Sequence, residues 1–323
     1  QIAERLMEKG WEPKHHTEKG NVIVNEETLS HIKMPEAQMF SRFFLLQKRT
    51  GMLKSWIKEC HDDEKVRGRV MTLKTVTGRM AHNSPNMAQV PASYSPYGKE
   101  FRSLWTISDP EKYNLIGTDA SGLELRCLAH YMRDKAYINE VVNGDVHTAN
   151  MKMAGLTNRD QAKTFIYAFL YGAGAAKIGK VVGGGSAQGR DLIERFLGNM
   201  PALKRLRNQV TEAAREGSIL GLDGRHLKIR SEHAALNTLL QGAGAIICKE
   251  WLVQITRIIN ARGVDAKLVA SIHDEYQFEV SVKDTLNFCR ITKEAILDTS
   301  RNLAVVCPLD AQYKVGKTWA ETH

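Results

Sequence analysis

Two aspartates stand where phosphoryl chemistry could be done. Asp119 closes the apolar run in Ile116-Gly-Thr-Asp-Ala, and Asp274 lies in a tight His-Asp-Glu step between two apolar stretches. Neighbouring strands of a sheet run about 4.8 Å apart, so carboxylates at strand ends can converge. Two that converge can bridge a pair of divalent ions about 3.5–4 Å apart and support in-line displacement at phosphorus. Either aspartate alone carries little weight, because Asp is a common turn and cap residue. Glu275 beside it could be a third ligand or an outer neighbour.

A second set has stricter spacing. Arg159, Lys163, Tyr167 and Tyr171 recur every four residues, and each such step advances about 40° beyond a full helical turn. Two cations followed by two rings therefore share one stripe. Cations can hold a triphosphate and a ring can pack on sugar or base. His147, upstream, could add a further phosphate donor. Phe165, Ile166, Phe169 and Leu170 fall on the opposite face, as in any core helix; burial explains them but not the aligned cations and tyrosines. Ser121-Gly-Leu-Glu124 matches a capping box, with Ser121 as N-cap and Glu124 at the third helical position.

These residues need strands and helices to position them. Apolar patterning predicts strands at about 113–118, 267–272 and 276–282, the last two joined by the His273-Asp-Glu275 turn. Helices are expected at about 36–60, 122–132, 159–171, 187–199, 202–216, 231–262 and 284–301, with Gly263 ending the long one. In the first of these, Met39, Phe40, Phe43, Phe44 and Leu46 make an apolar face. Residues 78–98 hold Pro85, Pro91 and Pro96 among Asn and Ser, and read as irregular. No repeat or low-complexity segment stands out.

With 323 residues, 43% of them apolar and 25% charged, the chain reads as globular with two or three subdomains. Its net charge is +9, and residues 152–230 hold 14 Lys and Arg against 6 Asp and Glu, which concentrates the excess in the middle helical block. That block is either a solvated surface or a phosphate-facing subdomain. The five scattered cysteines include no CxxC pair, so neither a disulfide framework nor a zinc site is expected. The longest apolar stretch, 242–259, is broken by Lys249, Glu250 and Arg257, so no membrane partner is expected. Gly316-Lys-Thr318 is not a phosphate loop, because Ala311 stands at the first glycine position, and Gly172-Ala-Gly174 follows a helix rather than a strand.

Taken together, the segments resemble the polymerase region of family A DNA polymerases. Asp119-Ala-Ser-Gly-Leu-Glu-Leu-Arg126 is similar to the family's motif A, Arg159 to Gly172 to motif B, and His273-Asp-Glu275 to motif C. Thr77-Gly-Arg79 resembles its primer-template contact. Gly144-Asp-Val-His147, Leu222-Asp-Gly-Arg225 and 233–241 are most similar to the bacteriophage T7-type replicative branch. The resemblance implies an α+β right-hand fold: an antiparallel β palm at 75–142 and 237–323, helical fingers at 143–236, and a partial helical thumb at 1–74. It implies a DNA-directed DNA polymerase working in phage replication in the host cytoplasm. Its cofactors would be two Mg²⁺ ions, replaceable by Mn²⁺, held by Asp119, Asp274 and the Ala120 carbonyl. Glu275 and Lys163 would join those aspartates in catalysis. His147, Arg159 and Lys163 would bind dNTP phosphates, Tyr167 would face the sugar, Tyr171 would stack near the template base, and Glu124 would exclude a ribose 2′-OH. Arg79 and Gln241 would read the minor groove of primer-template DNA, and His273 would sit by the primer terminus.

The family's phage members carry an exonuclease and a longer thumb upstream. Here about 75 residues precede Thr77, without an acidic exonuclease-like set. The expectation is no proofreading from this chain, with an upstream exonuclease and thumb polypeptide or a processivity factor as partner. A single-subunit RNA polymerase relative is disfavoured by Glu124 and by the Tyr167-to-Tyr171 spacing. A non-catalytic primer-template-binding remnant would be expected to lose its carboxylates or the Arg159 and Lys163 pair, and a two-metal nuclease has no use for the stripe.

Overall fold

The computed structural model describes residues 1–323, which divide into two units: 1–69 with 82–86, and 70–81 with 87–323. The first unit contains helices α1 (Ile2–Glu8), α2 (Glu26–Ser30) and α3 (Pro35–Lys58). Pro35 is the first helical residue of α3, where its missing N–H costs nothing. Leu6, Leu29 and Ala37 form the small buried core of this unit, with Phe40 and Phe44 packed against it. The apolar face expected on α3 is therefore only half realised: Met39, Phe43 and Leu46 remain exposed. The chain crosses between units at the short strands β1 (Arg69–Met71) and β2 (Ala81–Asn83).

The second unit is built on a four-stranded antiparallel sheet. Its strands are β3 (Tyr113–Ala120), β6 (Ala266–Ile272), β7 (Glu275–Ser281) and β8 (Ala311–Gly316), in the spatial order β6-β7-β3-β8. A two-stranded hairpin of β4 (Ser218–Leu220) and β5 (His226–Lys228) stands apart from the sheet. Strand β8 was absent from the sequence expectation. It is an edge strand with most of its residues exposed, so it lacks the apolar run that marks a central strand.

Around the sheet lie α4 (Gly98–Ser103), α5 (Leu123–Met132), α6 (Lys135–Asn143), α7 (Val146–Ala154), α8 (Arg159–Leu170), α9 (Ala175–Val181), α10 (Ser186–Asn199), α11 (Pro201–Arg215), α12 (Ala235–Arg262), α13 (Thr285–Asn302) and α14 (Trp319–Thr322). Helix α12 ends as expected, with Gly263 left-handed at φ 64°. Trp251, Tyr276, Phe165, Phe196, Phe278 and Phe288 are fully buried in one continuous core that joins the sheet to α8 and α10. Each such side chain contributes about 1.5–3 kcal/mol of burial, so the helix carrying the stripe is anchored to the same core as the strands carrying the aspartates. Gly117 in β3 lets α14 lie directly on the sheet: a Cβ there would stand 2.2 Å from the Thr322 carbonyl oxygen.

Candidate functional site

Strand pairing brings the two aspartates together. Asp119 pairs in register with Glu275 across β3 and β7, and the Ala120 N–H donates to the Asp274 carbonyl at 3.1 Å. Asp274 follows His273, whose φ of 56° puts a non-glycine residue in the left-handed region. Such backbone strain persists only where the surrounding structure enforces it. No side-chain donor is paired with either carboxylate. Burial, with Glu124 close by, raises the Asp274 pKa above its ordinary value. Loss of hydration, reinforced by Asp274, Glu275 and Glu124, pushes Asp119 up to about 7 even though its side chain stays exposed.

Glu275 is built differently. It is buried, and its Oε1 accepts from Gln277 Nε2 and Trp319 Nε1, both at 2.6 Å, while Oε2 lies 2.6 Å from His323 Nδ1. Burial alone would raise its pKa, but these donors hold it below the ordinary value. Its oxygens are thus committed to Gln277 on β7, Trp319 on α14 and His323, which fits the outer-neighbour reading better than a third ligand. No group of three or more His, Cys, Asp or Glu side chains is assembled for a metal. What the strand ends offer is a pair of like-charged, uncompensated carboxylates, which suits a cation whose other ligands come from phosphate, backbone and water.

Helix α8 carries Arg159, Lys163 and Tyr167, and Tyr171 is its C-cap. The Tyr167 and Tyr171 rings stack with centroids 6.3 Å apart, and the His147 ring from α7 lies 6.1 Å from Tyr167. Burial first, and then the negative Glu124, Asp274 and Asp119, push the Tyr167 phenol to about 12. His147 Nδ1 is buried with no hydrogen-bond partner, and burial followed by Arg159 and Lys163 lowers its pKa. Arg159 pairs side-on with Asp145, Nε to Oδ2 at 2.7 Å and Nη2 to Oδ1 at 3.0 Å.

The capping box expected at Ser121 does not form. The N-cap is Gly122 at φ 57°, with no side-chain cap, and Ser121 Oγ is buried without a partner. The left-handed Gly122 takes the N-cap position, which leaves Ser121 one residue outside it. Glu124 is released from capping and accepts from Tyr171 Oη at 3.1 Å, with Arg79 Nη2 at 3.5 Å. Arg79, His273 and Asp274 line one narrow cleft beside α12. Gln241 lies half-buried on α12 and makes no hydrogen bond to Arg79. The sequence reading missed the donors from Trp319 and His323, which no local pattern signals, and Asp145, whose signal was an acidic N-cap two residues before His147.

The model of DNA polymerase family A matches residues 1–321. This chain belongs to DNA polymerase family A. It is 38% identical to the DNA-directed DNA polymerases of Enterobacteria phage T3 and Escherichia phage T7, over all of this chain and 52% of each relative. It is 27% identical to DNA polymerase I of Lactococcus lactis over 83% of this chain and 33% of that protein. The chain thus spans about half the length of its phage relatives. Among solved structures, the POL domain of Pol1 from M. smegmatis, in complex with DNA primer-template and dNTP, superposes with a TM-score of 0.85 at 20% identity, covering 96% of this chain and 58% of that one. That likeness shows the family A fold, an α+β arrangement in which helices surround an antiparallel sheet.

Proposed function

We propose that this chain is the polymerising part of a template-directed DNA polymerase, adding dNTPs to a primer 3′-OH. The observation that carries the reading is the convergence of Asp119 and Asp274 in one unit with the stripe of α8 and His147. Uncompensated carboxylates call for cations, and the stripe supplies donors and rings suited to a nucleoside triphosphate. Asp119, Asp274 and the Ala120 carbonyl would hold two Mg²⁺ ions, with Mn²⁺ able to replace them. Such ions neutralise charge on the transferring phosphoryl group and activate the attacking hydroxyl.

The remaining roles belong to side chains. Arg159, Lys163 and His147 hold the triphosphate, and His147 Nδ1 is a buried ring nitrogen in need of a partner. Tyr167 bounds the sugar, and Tyr171 packs by the template base. Glu124, fixed by Tyr171 and Arg79, stands where an added 2′-OH would meet a carboxylate already engaged. Arg79, Gln241 and His273 face the primer-template duplex. Glu275 supports the Asp274 turn from behind. In this reading 1–74 belong to a thumb, 75–142 and 237–323 to the palm, and 143–236 to the fingers. No helix is long and apolar enough to cross a membrane, and the reading places the work in the host cytoplasm during phage replication. An upstream exonuclease and thumb polypeptide or a processivity factor would be the protein partner.

The test is extension of a labelled primer-template by the purified chain with Mg²⁺, alone and with any polypeptide encoded upstream. Template-directed addition of dNTPs is expected. Gel-shift binding without extension in either condition overturns the reading in favour of a non-catalytic DNA-binding role.

A further inference from the structure

The Asp145 carboxylate lies outside the proposed metal site, yet it accepts from five donors. Oδ1 takes the His147 N–H at 3.1 Å, the Thr148 N–H at 3.3 Å and Arg159 Nη2 at 3.0 Å; Oδ2 takes Thr148 Oγ1 at 2.8 Å and Arg159 Nε at 2.7 Å. Two of these, the backbone N–H groups, cap α7, the helix whose second residue is His147, and a third comes from the Thr148 hydroxyl in its first turn. The other two come from Arg159, the first residue of α8, whose own cap is supplied separately by Asn158. A second carboxylate was therefore not needed to start α8. Asp145 joins the two helix starts that carry the phosphate donors His147 and Arg159.

The side-on geometry matters. A guanidinium has five N–H groups in a rigid fork, and Asp145 engages only Nε–H and one on Nη2. The Nη1 end is left to an incoming anion, while the bound edge fixes the direction in which that end points. Arg159 is half-exposed, so without a partner its long side chain would sample many rotamers and lose entropy on meeting a ligand.

We propose that Asp145 is a positioning residue for triphosphate binding, holding Arg159 and His147 in one register before the nucleotide arrives. The inference rests on the polymerase reading. Asp145→Asn separates the two jobs of this carboxylate: Asn still caps α7 but gives up the charged pair with Arg159. Asp145→Ala removes both. In single-nucleotide incorporation, Asp145→Asn is expected to raise the dNTP KM about five- to tenfold with kcat within about twofold, as loss of preorganised binding should. Inhibition by inorganic tripolyphosphate should weaken by a similar factor, primer-template affinity should not change, and Asp145→Glu should restore part of the loss. An unchanged KM in Asp145→Asn, with only Asp145→Ala lowering Tm, would reduce Asp145 to a helix cap and overturn the inference. A lower KM in Asp145→Asn would also overturn it, since Asp145 would then be competing with the triphosphate for Arg159. Wild type without template-directed incorporation, both alone and with the upstream polypeptide, would instead sink the polymerase reading, while tripolyphosphate binding to wild type and to Asp145→Asn, followed by calorimetry, would still test Asp145.

Discussion

Two acidic regions of the second unit are built in opposite ways. At the strand ends, Asp119 and Asp274 crowd together with no side-chain donor, and their pKa values rise. At the start of α7, Asp145 is surrounded by donors, and the Arg159 guanidinium followed by Thr148 holds its carboxyl well below the usual range. Glu275 belongs with Asp145 in this respect, although it is the immediate neighbour of Asp274. A carboxylate whose lone pairs are filled by the protein is architecture; one left uncompensated is a place for a cation that the chain does not itself supply.

The sharpest way to break this contrast is to remove the uncompensated carboxylates. Asp119→Ala or Asp274→Ala should reduce primer extension by about a thousandfold or more, since each would remove a ligand of the ions at the reacting phosphate. Equilibrium binding of primer-template should stay within about twofold. Near-normal extension by either variant would end the assignment of these two residues to the metal pair.

Glu275→Ala tests the other side of the comparison. Two buried donors, Gln277 and Trp319, and the exposed His323 would lose their acceptor, so stability should fall by about 2–4 kcal/mol, read by chemical denaturation. Extension at a temperature where the variant remains folded should suffer far less than in Asp274→Ala. If Glu275→Ala instead stayed fully stable and lost all extension, Glu275 would be a ligand rather than a support.

Glu124 belongs to neither kind: it has Tyr171 and Arg79 as partners but caps nothing. Glu124→Ala should raise ribonucleotide incorporation relative to deoxyribonucleotide by about tenfold or more, since a site built around polar pairing rejects a group that disturbs it. Unaltered selectivity would leave Glu124 with a purely structural part, joining α5 to Tyr171.

The smallest effect concerns pH without metal. The Asp119 pKa rises from 3.8 to about 7 on folding. Its contribution to stability is therefore fully present below about pH 4 and lost as pH rises through about 7. Asp119→Asn, lacking the charge, should have a slightly higher Tm than wild type at pH 8 in chelator, and the difference should shrink toward pH 5. Adding Mg²⁺ should narrow the gap at pH 8 by stabilising wild type alone. An identical pH profile for both proteins would mean that the Asp119 carboxylate is not under strain.

Much of the scaffold was legible because its signals are local. The alternation and apolar runs of β3, β6 and β7, the four-residue stripe of α8 and the glycine after α12 are set by backbone periodicity and cap geometry, which depend on neighbours a few residues away. Strand β8 was not legible because an edge strand needs no apolar run. Helix α3 misled because Phe40 and Phe44 alone meet Leu6 and Leu29, a choice made by residues distant in sequence. The capping box at Ser121 failed for a similar reason: the local pattern was sound, but the β3-to-α5 turn carries Gly122 in a left-handed conformation and Ser121 N–H donates to Asp310.

The sequence by itself determined which side chains exist to do chemistry and their order along each element: carboxylates at strand ends, and cations followed by rings along one helix. Only the tertiary structure decided what each of them is joined to. Asp274 and Glu275 are chemically near-identical neighbours, yet Asp274 stays in the turn while Glu275 opens β7, and their side chains meet different surroundings. One is left among like charges; the other meets Trp319 and His323, more than forty residues away. The ionisation and reach of a carboxylate depend on hydration and nearby charge, and those are properties of the assembled space around it rather than of the residue's place in the chain.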